Sequence, residues 1–261
     1  MEYRRENIGG TNFNHPKILY KYRDWNNEYH KRILTENKIY LSSPCQFEDK
    51  YDCNLTEIFP PKSELYDCFL KIANINYPNM SRREKREFAR YWSQHSPLAH
   101  PDERSKIVTE YTQEFNDRFG VLSMTADCNN NAMWEKYANQ HKGLCIGFDS
   151  EMLFERVGGG GKVEYVNHLP VIEFLKDDVK LWHIKNIFFK EDKWSFEKEY
   201  RLHKMWEDKA TDDERNIELQ QSCIREVILG KDMPPQDKEE IQEIIKNKYP
   251  HAKIIEEVCP I

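Results

Sequence analysis

The run Trp194-Ser195-Phe196-Glu197-Lys198-Glu199-Tyr200-Arg201 brings two carboxylates, a guanidinium and three aromatic rings into one short stretch. Its alternation fits an extended strand. Period-two spacing puts Glu197, Glu199, Arg201 and His203 on one face, and Phe196, Lys198, Tyr200 and Leu202 on the other. A charged row beside a mostly apolar row predicts a strand that packs on the core with one side. The other side should meet a cleft or water. Paired carboxylates two residues apart, backed by an arginine, suit acid/base work or the holding of a ribose. A solvated edge strand with a Glu–Arg ladder accounts for the same residues without chemistry.

The 261 residues are enough to bury a sizeable core. Hydrophobic residues are 39% and charged residues 32%, a lean balance that 13% aromatics offsets through the area each ring buries. A folded chain is expected, not a disordered one. The net charge of −6 argues against a general nucleic-acid partner. The basic spot Arg82-Arg83-Glu84-Lys85-Arg86 reads as the wet face of a helix. Seven scattered cysteines, none in a C-x-x-C pair, argue against a disulfide framework or a structural zinc, and no metal ligands are assigned. The first residues, Met1 to Glu6, lack the apolar core of a secretion signal, and no apolar run is long enough for a bilayer. A cytoplasmic protein with no membrane partner is the expectation.

The first dozen residues read as a polar lead-in. Strands are expected at 18–23, 38–42, 121–125, 144–148, 162–166, 197–201, 223–229 and 252–258. Helices are expected at 28–37, 131–141, 171–189 and 235–248. Residues 47–52 read as an acidic loop, and Gly158 to Gly161 as a flexible turn. Between them, residues 62–119 look all-helical. Ser81-x-x-Glu84 is a capping box, and Pro101-Asp102-Glu103 places acids in a first turn. The expected architecture is α+β, with a mixed or largely antiparallel central sheet, flanking helices and an all-helical insertion at 62–119 inside a single domain, 1–261.

Four motifs occur in order: Leu19-Tyr20-Lys21-Tyr22-Arg23, Leu41-Ser42-Ser43-Pro44-x-x-Phe47, Met133-Trp134-x-x-Tyr137-Ala138-x-x-His141-x-Gly143, and Trp194-x-x-Glu197-x-Glu199-x-Arg201. Together, over roughly residues 18 to 230, they resemble the bacterial domain-of-unknown-function family 2971. The family's turn Phe-Asn-Asp-Pro-Phe-Asp is here Phe47-Glu48-Asp49-Lys50-Tyr51-Asp52. That family carries no assigned activity.

The order Arg23, Ser123, Glu197-x-Glu199 also resembles the layout of ADP-ribosyltransferases. The resemblance implies NAD as substrate, with Arg23 on the pyrophosphate and Ser123 shaping the nicotinamide pocket. Glu199, with Glu197, would serve the ribose next to the bond that breaks, where a carboxylate stabilises an oxocarbenium-like centre. Such an enzyme could act as a bacterial toxin or defence effector on a macromolecular acceptor. Tyr22, Trp134, Tyr137, His141 and Arg201 complete the candidate cofactor-binding set. Trp134, Tyr137 and His141 would share a helical stripe able to stack on a base. Such a stripe is more often simply core, with His141 bonded to a carbonyl and Gly143 capping the helix. Two other classes fit the residues. Asp49 and Asp52 could join Glu197 and Glu199 around Mg²⁺ in a nuclease-like hydrolase. A non-catalytic module binding a small-molecule nucleotide or a protein is the third.

Overall fold

The computed structural model describes residues 15–256. It opens with strand β1 (Ile18–Arg23), helix α1 (Glu28–Thr35) and strand β2 (Lys38–Tyr40), then the two-residue β3 (Glu57–Ile58). Three helices follow: α2 (Leu65–Asn76), α3 (Arg82–His95) and α4 (Pro101–Arg118). Strand β4 (Phe119–Thr125), α5 (Asn131–Tyr137), β5 (Leu144–Asp149) and α6 (Ser150–Val157) come next. Short strands β6 (Gly160–Lys162), β7 (Glu164–Val166) and β8 (Ile172–Glu173) precede α7 (Val179–Phe188) and β9 (Phe189–Glu191). The chain closes with β10 (Glu199–Met205), α8 (Asp212–Arg215), β11 (Asn216–Glu218), β12 (Ile224–Leu229), α9 (Pro235–Lys248) and β13 (Lys253–Glu256). The polar lead-in, and the part of the last expected strand beyond Glu256, lie outside the described residues.

Seven strands form one sheet in the order β13-β12-β5-β1-β4-β10-β6. All neighbours are antiparallel except β12 and β13. This is the mixed, largely antiparallel α+β sheet that the alternation predicts. Its main core packs Leu19, Leu122, Leu144, Ile146, Phe148 and Leu202 beneath α1, α6 and α9. Helices α2, α3 and α4 cluster as the sequence predicts. Ser81 caps α3 through the Glu84 amide while Glu84 bonds back to the Ser81 amide. Among the described residues no helix is long and apolar enough to cross a membrane.

Local chemistry moves several expected boundaries. The long helix expected at 171–189 is only α7. Residues 172–173 instead pair parallel with β3, and Asp178 caps the real start through the Leu181 amide. The expected glycine turn is partly strand, because β6 lies beside β10. A β-carbon on Gly160 would come within 2.5 Å of the Arg201 carbonyl, so only glycine lets the strands approach. The helix expected at 131–141 ends at Tyr137, after which Asn139, Gln140 and His141 all adopt positive φ. A β-carbon on Gly143 would lie 2.2 Å from the Arg23 carbonyl, which ties this tight turn to the end of β1.

Trp134 is 1% exposed. Its ring meets Tyr22 edge-on at 5.1 Å and stacks on His141 at 5.9 Å, and its indole N–H donates to the Cys128 carbonyl at 3.0 Å. The aromatic stripe therefore closes a second core with Ala138, Cys145 and Ile228. Truncating so large a buried ring removes both area and packing. Trp134→Ala should cost about 3–5 kcal/mol in urea unfolding, and an unchanged midpoint would contradict this packing.

Candidate functional site

The central sheet is not evenly laced. β1 pairs with β5 at every position from Ile18 to Arg23, and β4 pairs with β10 from Thr125 to Phe119. Between β1 and β4 the ladder holds one pair, Tyr20 with Thr125. Beyond it the strands part, and a cleft of about 640 Å³ occupies the opening, a volume suited to a small-molecule ligand. Arg23 and Tyr22 of β1, Ser123 of β4 and Glu199 of β10 all line it. Glu197 and Tyr137 line it as well. Trp134, His141 and Arg201, also expected there, are buried and do not form its wall.

The quoted run is not one strand. Residues 192–197 form a 3-10 helix, Lys198 adopts φ 45°, and β10 begins at Glu199. Glu197 thus reaches the cleft from a turn and Glu199 from a strand, yet both carboxylates arrive at one cluster. The charged row is not a solvated ladder either. Glu197, Glu199 and Arg201 are 4%, 3% and 0% exposed.

At the centre of this cluster stands the Lys190 ammonium. It lies 2.6 Å from Glu197, 3.2 Å from Glu199 and 3.3 Å from Asp52. Beneath it Arg201 forks onto Glu199 at 2.8 and 3.1 Å and reaches Asp52 at 2.7 and 2.8 Å. The same guanidinium donates to the Ile187 carbonyl at 2.8 Å. Tyr137 donates to the second oxygen of Glu197 at 2.6 Å. Burial alone would raise the Glu199 carboxyl, but Arg201 and then Lys190 outweigh it and hold the carboxyl down at about 2. Burial likewise works against the Lys190 ammonium, and Glu199 and Asp52 outweigh it and push its pKa up. Burial and the Glu197 bond push the Tyr137 phenol well above its usual range.

This arrangement bears on the Mg²⁺ alternative. Asp52, Glu197 and Glu199 do converge, but on the Lys190 nitrogen, which occupies the place a cation would take. Asp49 instead accepts from the Trp194 indole at 2.6 Å and pairs with Lys193 at 3.4 Å. Among the described residues no group of three or more His, Cys, Asp or Glu side chains is arranged to hold a metal ion.

Sequence reasoning missed Lys190, Lys21 and His30. Lys190 ends the apolar run Ile187-Phe188-Phe189, and a lysine closing such a run is a signal of a buried cation. Lys21 lies two residues from Arg23, so strand parity alone puts both on one face.

The cluster should set the acid limit of the fold. The Glu199 carboxyl titrates lower when folded than when unfolded. Its contribution is therefore complete above about pH 4.5 and is lost as pH falls toward about 2. Acid titration followed by circular dichroism should show stability falling through that window. Arg201→Met, which strands buried carboxylates, should cost about 3–5 kcal/mol at neutral pH and should diminish the Glu199 share of the loss between about pH 4.5 and 2, because the main cause of its lowered pKa is gone. A variant as stable as the native chain would mean that the cluster is not holding the fold.

A family model described as a protein of unknown function, DUF2971, matches residues 133–202. No curated protein and no solved structure matches the chain. The matched stretch carries Tyr137, Lys190, Glu197, Glu199 and Arg201, so it supplies every member of the buried cluster except Asp52. The β1 motif and the Ser-Pro turn lie outside it. Over residues 133–202, the chain is similar to that family.

Proposed function

We propose that the cleft binds a phosphate-bearing nucleotide and acts as an ADP-ribosyltransferase-like site with NAD as substrate. One observation carries this reading: Arg23, Ser123 and Glu199 stand on three consecutive strands, β1, β4 and β10, and line the same opening. In the transfer, the bond between the ribose C1′ and the nicotinamide nitrogen breaks and nicotinamide leaves neutral. The acceptor nucleophile bonds to C1′ and gives up a proton. Glu199 would oppose the positive charge that develops on the ribose, and Arg23 would hold a phosphate oxygen. The ring walls of Tyr137 and Trp194 offer apolar surface for the bases.

A second reading is favoured by the pairing of Glu199. Its oxygens are already engaged by Arg201 and Lys190, which leaves a neutralised carboxylate facing the ligand. A cleft of that kind suits a module that binds the nucleotide without cleaving it.

Nicotinamide release from NAD, measured with and without cell lysate as a source of acceptor, separates the two. The transferase reading expects release by the native chain and a loss on the order of 10²-fold or more in Glu199→Gln. Melting temperatures are needed in parallel, because that substitution also weakens the buried cluster. A rise in melting temperature with NAD but no nicotinamide release favours the binding module. No release with any acceptor retires the transferase.

A further inference from the structure

Among the described residues, six lysines and arginines line the cleft. Four of them have carboxylate partners. Arg32 and Lys38 share Glu36, Lys136 faces Glu48, and Lys190 holds the acidic cluster. Lys21 and Arg23 have no carboxylate partner among the described residues, and they stand two residues apart on β1. The Lys21 ammonium donates to the Ser123 carbonyl at 2.5 Å, and one Arg23 nitrogen donates to the Tyr22 carbonyl at 3.3 Å. The Arg23 Nε is buried without a hydrogen-bond partner among the described residues. His30 of α1 also lines the cleft, where Arg23 and Lys21 both act on its ring, and its Nδ1 lies 3.2 Å from the Asp24 carbonyl.

Two neighbouring, half-buried cations without a contacting counter-charge are costly, and an anion between them relieves that cost. We propose that Lys21 is the second cation of a diphosphate subsite, set beside Arg23, with His30 on its α1 side. The proposal rests on the reading that this cleft takes a phosphate-bearing nucleotide, and it adds the requirement that the ligand carry two adjacent charges. The electrostatics agree: burial and then Arg23 lower the Lys21 pKa well below its ordinary range, and burial lowers Arg23 to about 10. Glu197 and Glu199 act on Lys21 in the opposite sense but are neutralised by their own partners. Asp212 and Asp213 also line the cleft. The first accepts from the Tyr40 hydroxyl at 3.1 Å, and the second acts on Arg32.

Calorimetric titration with inorganic pyrophosphate, ADP-ribose and adenosine tests this on the native chain, Lys21→Met and Lys21→Gln. The glutamine keeps a donor for the Ser123 carbonyl, and Lys21→Arg restores the charge if either variant fails to fold. Pyrophosphate and ADP-ribose should bind the native chain and weaken at least about tenfold without the Lys21 charge, as for a lost charge-assisted contact. Lys21→Arg should retain most of that affinity, and adenosine should not distinguish the proteins. Equal pyrophosphate affinity in native chain and Lys21→Gln overturns the proposal, as does the absence of pyrophosphate binding to the native chain. NAD cleavage at the native rate by Lys21→Gln would remove the subsite and leave the transferase reading standing. Pyrophosphate binding as expected, with no nicotinamide released, would do the reverse.

Discussion

The structure turns on the contact between the Arg201 guanidinium and its two buried carboxylates, Asp52 and Glu199. Asp52 comes from the loop after β2, Glu199 from the start of β10, and Lys190 from β9, so one cluster fastens three distant segments. Tyr137 adds α5 through Glu197. Each charge must leave water to take part, and the pairing recovers that cost only if every partner is in place. Such a cluster contributes less to net stability than to uniqueness. A register shift of β10 by one residue would turn Arg201 and Glu199 to the opposite face and leave Asp52 and Lys190 without them.

Much of the fold was legible because it follows from periodicity. Leu19, Lys21 and Arg23 alternate with Tyr20 and Tyr22, β4 and β5 are short apolar runs, and the Ser81 box opens α3 as its spacing demands. Glu197, Glu199 and Arg201 were legible as a group, but neither the turn that carries Glu197 nor the burial of all three was. Alternation tells which residues share a face and says nothing about whether that face meets water. The signal that it does not lies elsewhere in the chain, in Asp52 and Lys190, and only tertiary contact brings them together. Two of the boundary errors share a cause. Lys198 and His141 take positive φ without being glycine, so the strand starts later and the helix ends sooner than composition suggests.

The candidate site was half legible. Arg23, Ser123 and Glu199 could be ordered along the chain, and their strands are sheet neighbours. The cleft itself was not readable, since it arises where pairing between β1 and β4 stops after a single residue pair. The helical stripe of Met133, Trp134 and Tyr137 divides its labour. Trp134 goes to the core, while Tyr137 reaches the cleft and fixes Glu197.

That opening in the sheet has a consequence for how the protein can change over time. Where the strands part, the carbonyls of Ser123 and Tyr22 are answered by the side chains of Lys21 and Arg23 instead of by a neighbouring strand. Two of the residues that present positive charge to the cleft thus also finish the main-chain bonding of its walls. A substitution at either position alters recognition and architecture together, so neither property can drift freely while the other is held. Lys38, Tyr40, Asp212 and Asp213 also line the cleft, and among the described residues none of their side chains completes a main-chain carbonyl, so a change of ligand can be accommodated there without unlacing a strand.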